Sequence, residues 1–138
     1  MDLYRKFIEE KQKEFDHFKG IGFAFSNKQL EELLIKLNAS PKDLYNIGAG
    51  AFILKDRYQA LIDLTNDYNK NLNELMKNYN FALSGFIYEL ANHEYNITYD
   101  YDSTLEALNL TEEEINNSDV LFKAFKEARK TIIENSIY

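Results

Sequence analysis

Apolar residues recur every three or four positions along most of the chain, a spacing that predicts amphipathic helices. The first such stretch covers residues 2–19, and Gly20 ends it. Further helices are predicted over residues 30–37, 58–79, 81–95, 104–110, 112–115 and 118–132. A short helix is also expected after Ser40-Pro41, because proline is favoured in the first helical turn. The pattern therefore predicts a chain made mainly of helices.

The starts of these helices are marked by side chains that accept hydrogen bonds from the first turn. Two pairs have capping-box spacing, Ser26 with Gln29 and Thr111 with Glu114. The other predicted starts are Asp56 before the longest helix, Asp102 or Ser103 before residues 104–110, and Ser118 before the last helix.

Two helices are predicted to supply much of the core, because their apolar residues form one continuous side. The helix over residues 81–95 is the most apolar, and its predicted core residues are Phe81, Phe86, Ile87, Leu90 and Ala91. The predicted core residues of the last helix are Val120, Leu121, Phe125, Ala128 and Ile132.

Alternating apolar and small residues predict a small sheet. The stretch "GIGFAFS" (residues 20–26) is either a short strand or a buried connector. Residues 51–54 are predicted to form a strand that pairs with residues 23–25, and Ile97 and Tyr99 are candidates for a third strand. Because the sequence shows no repeat and no linker, we predict a single domain over residues 1–138. Its fold class is α+β, mostly α, with a two- or three-stranded sheet.

The composition narrows the functional classes. With 138 residues, 45% of them hydrophobic, the chain is long and apolar enough to close one core. It has no cysteine, which excludes disulfides, thiolate catalysis and cysteine-ligated metals. Neither a secretory signal nor a membrane span is expected, because no long apolar run occurs. The net charge of −7 argues against direct nucleic-acid binding, which needs a basic face.

The stretch "YELANHEYNITYDYDST" (residues 88–104) holds most of the candidate chemistry, since it combines His93 with several carboxylates. His93-Glu94 begins like the zinc-protease motif His-Glu-x-x-His, but Ile97 stands where the second histidine belongs. "DYDSTLEALNL" begins with the acid spacing of a calcium loop, yet it lacks the central glycine and the final glutamate. We therefore expect no metal, no other cofactor and no enzymatic activity. A connector in which His93 ends a helix is favoured.

The negative charge is concentrated in one part of the sequence. No lysine or arginine occurs between Lys77 and Lys123, and we call residues 78–122 the acidic segment. It contains nine acids, a charge of −9, whereas the rest of the chain has 16 basic and 14 acidic residues. Such a field either serves solubility alone or attracts a basic, nucleic-acid-binding protein, and tyrosines in the same segment suit an interface. The predicted partner contacts are Glu94, Tyr95, Tyr99, Asp100, Asp102, Glu106, Glu112, Glu113 and Glu114.

Three stretches carry a resemblance to known proteins: "GFAFSNKQLEELLIKL", "LYNIGAGAFILKDRYQAL" and "ELANHEYNITYDYDSTLEALNLT". In this order they resemble a group of small phage and mobile-element proteins of largely unknown function. That group is similar to type II anti-CRISPR inhibitors in size, acidity and lack of cofactor. The resemblance implies action in the cytoplasm of a bacterial host and brings no catalytic residues with it. It also gives the block Asn92-His93-Glu94-Tyr95 a role beyond connecting two helices.

The leading hypothesis is a non-enzymatic inhibitor that binds a host defence nuclease, first of all a type II CRISPR effector, through the acidic segment. Two alternatives stay open. One is a small metal-dependent or hydrolytic enzyme centred on His93, and the other is a phage structural or regulatory protein with another partner. Neither nucleic acid nor a membrane is expected as a direct partner.

Overall fold

The computed structural model describes residues 2–135, which form eight α-helices, two 3-10 turns and one antiparallel sheet of three strands. The helices are α1 (Leu3–Asp16), α2 (Asn27–Leu37), α3 (Tyr58–Leu75), α4 (Tyr79–Asn92), α5 (Tyr95–Thr98), α6 (Asp102–Ala107), α7 (Glu112–Asn116) and α8 (Asp119–Asn135). The strands are β1 (Ile21–Phe23), β2 (Leu44–Gly48) and β3 (Ala51–Leu54), and the 3-10 turns are Pro41–Asp43 and Lys55–Arg57. The predicted α+β class, mostly helical with a small sheet, is confirmed. None of the helices within residues 2–135 has both the length and the apolar content needed to cross a membrane.

The chain divides into two compact units. We call Lys13–Asp67, which holds α2 and the three strands, the sheet unit. We call Met1–Gln12 together with Tyr68–Tyr138 the helical unit. Both α1 and α3 contribute residues to each unit. That the two units make up one domain stays a prediction.

In the sheet unit, β3 is the central strand and β1 and β2 flank it. β1 runs antiparallel to β3, with Ile21 opposite Ile53 and Phe23 opposite Ala51. The predicted pairing of these two segments is confirmed, but β1 lies two residues earlier than expected. The chain leaves the sheet after Phe23 because Ser26 already caps α2.

The third strand lies elsewhere than predicted. Ile97 is part of α5 and Tyr99 directly follows that helix, so the prediction of a strand there is wrong. The third strand is β2, which forms a hairpin with β3 through Ala49 and Gly50. Both turn residues have left-handed backbone, with φ of 52° and 77°. Two consecutive residues of this kind give the turn twist that fits a hairpin.

Several predicted helix caps are confirmed. The Thr111 hydroxyl accepts a hydrogen bond from Glu114 N at 3.2 Å, and Glu114 Oε1 accepts one from Thr111 N at 3.1 Å, which completes a capping box. The Ser26 hydroxyl accepts a hydrogen bond from Gln29 N at 3.2 Å. Ser118 accepts a backbone hydrogen bond, also at 3.2 Å, in the first turn of α8.

Two other predicted starts are corrected. α6 begins at Asp102 itself with Tyr101 in the N-cap position, because Asp100 Oδ1 accepts a hydrogen bond from Asp102 N at 2.9 Å and turns the chain earlier. Asp56 lies inside the second 3-10 turn, which leads into α3. The short helix predicted after Ser40 is confirmed as the first 3-10 turn, with Ser40 as its N-cap and Pro41 in its first turn, and the chain then enters β2.

α4 lies at the centre of the helical unit, where it packs against α8, α5 and α6. Its buried residues are Phe81, Ala82, Gly85, Phe86, Glu89 and Leu90. The prediction of an inward Ala91 is wrong, because buried positions 82, 86 and 89 recur at helical spacing and leave residue 91 exposed. Ile87 is half-buried.

α8 supplies the opposing face of this core. Phe125 and Ala128 are buried as predicted, together with Ala124. The predicted core residues Val120, Leu121 and Ile132 are half-buried. The rings of Phe86 and Phe125 lie 4.9 Å apart between their centroids, which joins α4 to α8 through an aromatic pair.

Replacing Leu90 by alanine is expected to lower the free energy of unfolding by about 2–5 kcal/mol. The reason is that Leu90 is fully buried in α4, so the shorter side chain leaves a cavity. Leu75→Ala, at a 39% exposed site of the same helical unit, is the matched control and should cost about 1 kcal/mol or less. Urea titrations followed by circular dichroism measure both values. Equal midpoints for the two variants would contradict the central position of α4.

Candidate functional site

The acidic segment has two parts that differ in exposure. Residues 78–92 form the N-cap and body of α4, and the one charged residue among them, Glu89, is buried with 6% of its surface exposed. Residues 93–122 form α5, α6, α7 and the start of α8. We call the exposed acids of this second part the exposed carboxylates: Glu94, Asp100, Asp102, Glu106, Glu112, Glu113, Glu114 and Asp119. The negative charge of the acidic segment is therefore exposed to solvent only in residues 93–122, after α4 ends.

Glu89 belongs to a buried polar cluster that the sequence pattern did not reveal. The hydroxyl of Tyr4, a residue only 2% exposed, donates a hydrogen bond to Glu89 Oε2 at 3.1 Å. Burial and the neighbouring Glu89 carboxylate raise the pKa of Tyr4 above the ordinary tyrosine value. The same two causes raise the pKa of Tyr68. The sequence signal that could have revealed this cluster is Glu89 itself, which occupies a core position in the most apolar helix, α4.

α5 is a single helical turn enclosed by two residues with left-handed backbone. Glu94 precedes it with φ of 57°, and Tyr99 follows it with φ of 56°. This conformation is uncommon for residues other than glycine and persists only where the surroundings determine it. The surroundings here are α4 and α8, against which α5 packs.

The side chains around α5 point to different environments. Tyr95 is 8% exposed and belongs to the core of the helical unit, which corrects the prediction that its ring contacts a partner. Ile97 and Tyr99 are 68% and 64% exposed. The rings of Tyr95 and Tyr99 meet edge to face with their centroids 5.9 Å apart, so the buried ring supports the exposed one.

His93, the most reactive residue type of the stretch, ends α4 as predicted. It occupies the C-cap position and is half-buried, and its backbone N donates a hydrogen bond to Glu89 O at 3.0 Å. Among residues 2–135, no three or more His, Cys, Asp or Glu side chains come together in a group that could hold a metal ion.

A hydrogen bond brings two groups of exposed carboxylates together. The Tyr101 hydroxyl donates to Glu112 Oε1 at 2.7 Å and so connects the start of α6 to the first turn of α7. This hydrogen bond, followed by desolvation, raises the pKa of Tyr101. Asp100 and Asp102 flank Tyr101 in the sequence, so they lie near the three glutamates that open α7.

Some exposed carboxylates have structural partners and others have none. Glu112 and Glu114 bind Tyr101 and Thr111, and Asp100 caps the turn before α6. Within the described part of the chain, five form no side-chain hydrogen bond: Glu94, Asp102, Glu106, Glu113 and Asp119. These five are available to an external partner without any loss of internal contacts.

The exposed carboxylates are not neutralised by ion pairs. Across residues 2–135, none of the eight lies within ion-pair distance of a basic side chain. Lys77, at the edge of a groove of about 640 Å³ that Glu113 and Glu114 also line, pairs instead with Glu74 at 3.0 Å. Arg129 stacks on the Phe125 ring, 4.3 Å from its centroid. The field of the acids is thus weakened by solvent and salt rather than by paired bases.

Comparison with known proteins identifies a family for this chain but indicates no activity. A family model matches residues 3–131, and it describes a family of unknown function. No curated protein and no solved structure matches the chain.

The raised pKa of Tyr4 predicts a loss of stability in alkali. Above pH 10, the ordinary value for tyrosine, the unfolded chain loses the Tyr4 proton while the folded chain keeps it. The free energy of unfolding therefore falls with rising pH, by at most about 1.4 kcal/mol per pH unit for this one group. Tyr4→Phe should remove that contribution, so its stability falls less steeply between pH 9 and pH 11. Tyr99→Phe, at an exposed site, is the control, and identical pH slopes in urea titrations of both variants would refute the role of Tyr4.

Proposed function

The chain belongs to this family of unknown function, DUF7659, and we propose from its surface that it is a non-enzymatic protein that binds a basic, nucleic-acid-binding partner. The observation that supports this is the set of eight exposed carboxylates between Glu94 and Asp119, with no lysine or arginine in the acidic segment and no ion pair to any of the eight within residues 2–135.

The chemistry of such a surface favours a partner that normally holds nucleic acid. Duplex DNA carries about one negative charge per 1.7 Å of its axis, and its binding proteins present a matching positive channel or groove. Fixed carboxylates on a folded scaffold present to those channels a negative charge, as DNA does. Opposite charges on two proteins also accelerate their association, up to about a thousandfold at low salt.

The resemblance of the sequence makes a type II CRISPR nuclease the first partner to propose. A guide-loaded nuclease of this kind holds its heteroduplex in a positively charged channel. Binding of the acidic segment to that channel would compete with target DNA and inhibit cleavage. The proposed setting is the cytoplasm of a bacterial host.

Reversing three of the unpartnered carboxylates tests the proposal. Glu94→Lys, Glu106→Lys and Glu113→Lys together replace three negative charges by three positive ones and leave the bonds of Glu112 and Glu114 intact. Association with the nuclease should slow by about tenfold or more at low salt, because such charges act mainly on the on-rate. The fold should lose only about 0.3–1 kcal/mol, since Glu113 alone lies in the first turn of a helix. The assay is cleavage of target DNA with the protein titrated in, together with binding kinetics at several salt concentrations.

The control carries the same charge change outside the acidic segment. Glu10, Glu31 and Asp67 are exposed helical residues, and their replacement by lysine should leave inhibition close to that of the wild type. Equal effects of the two triple variants would show that the acidic segment is not the binding surface. If the wild type neither binds nor inhibits any of several type II nucleases, the proposed partner is wrong.

A further inference from the structure

The turn that follows α4 carries exposed apolar side chains between two of the exposed carboxylates, Glu94 and Asp100. We call residues 94–100 the α5 knob. Ile97 and Tyr99 are exposed by 68% and 64%, which places them among the most exposed large apolar residues of the described chain. Neither residue appears in the core of the helical unit. Most of the surface of each side chain is therefore left to solvent.

The α5 knob is held in place by the rest of the helical unit. Tyr95 anchors it in the core, and Thr98 Oγ1 accepts a hydrogen bond from Asp100 N at 3.1 Å. Glu94 and Tyr99 keep left-handed backbone on either side of the turn. An apolar pair held in this way loses little conformational entropy on binding, and such preorganisation increases affinity.

The charges around the knob decide what kind of surface covers it. Glu94 and Asp100 belong to the knob, Asp102 follows directly, and all three are exposed. No lysine or arginine occurs anywhere in residues 78–122. A second copy of this chain would bring the same charges face to face, and an anionic lipid surface would repel them as well. Charge complementarity selects a protein surface with basic residues around an apolar recess.

We propose that the α5 knob is the anchor of the interface, with Ile97 and Tyr99 inserted into an apolar recess in the basic surface of the partner. This inference rests on the proposed function and adds an apolar contact to the electrostatic one. The carboxylates steer association over a distance, whereas the buried apolar pair slows dissociation. Aromatic anchors surrounded by a polar rim are the usual centre of a binding hot spot.

The test measures dissociation of the wild type and of two variants from a guide-loaded type II CRISPR nuclease. Ile97→Ala removes most of the apolar side chain, and Tyr99→Asn removes the ring while keeping a residue that tolerates left-handed backbone. Each variant should dissociate at least about tenfold faster, with an association rate within about threefold of the wild type. The salt dependence of association should stay that of the wild type, because no charge is changed.

The control is Ile35→Ala, which makes the same change at an isoleucine that is 80% exposed on α2. It should leave both rate constants unchanged. Thermal unfolding of Ile97→Ala and Ile35→Ala should match the wild type, because neither isoleucine is buried. Tyr99→Asn also removes the ring contact with Tyr95 and should unfold at a slightly lower temperature. Binding by the wild type with equal dissociation of Ile97→Ala and Ile35→Ala would overturn the anchor while leaving the proposed function intact. Absence of wild-type binding would overturn both.

Discussion

The burial of α4 is the constraint on which the rest of the helical unit depends. The helix is surrounded by α5, α6 and α8, and Tyr4 of α1 also reaches its surface. A side chain at Gly85 would place its Cβ 3.2 Å from the Tyr4 ring and 3.4 Å from Leu108, so the helix surface is closely covered there. The buried face of such a helix leaves no room for an unpaired charge, so its one charged residue, Glu89, needs the Tyr4 hydroxyl as a partner.

This constraint divides the base-free stretch of the sequence into a more buried and a more exposed part. Over residues 78–92 burial accounts for the lack of basic residues on the inner face of α4, although residues 78–80, 88, 91 and 92 are exposed. Over residues 93–122 most side chains are exposed to solvent, where lysine and arginine are normally common, and packing does not explain their absence from these exposed positions. The proposed partner is therefore expected to bind the second part, which carries all eight exposed carboxylates.

The structure shows which features were accessible from the sequence. The helices other than α5, the break before α4 and the Thr111–Glu114 capping box were predictable, because each depends on residues within a few positions of one another. β2 was missed because its pairing depends on a turn of two left-handed residues, Ala49 and Gly50. Ile97 and Tyr99 alternate with polar residues as a strand does, but the anchoring of Tyr95 in the core makes the segment helical. Likewise, the distribution of charge along the sequence predicts the candidate surface. The hydrogen bonds in the folded chain are needed to tell the carboxylates with internal partners from those without.

The exposed carboxylates differ in whether the fold itself favours a negative charge at their positions. Glu112, Glu113, Glu114, Asp102 and Asp119 lie in first helical turns, where the helix dipole stabilises a negative charge. The fold itself thus accounts for these five. Glu106 lies in the last turn of α6, where the same dipole disfavours a carboxylate. Glu94 follows the C-cap of α4 but is also the N-cap residue of α5, so the two helix ends act on its charge in opposite directions. The helix dipoles therefore do not account for Glu106. The basic partner that we propose would supply positive charge beside this carboxylate, which the end of α6 does not.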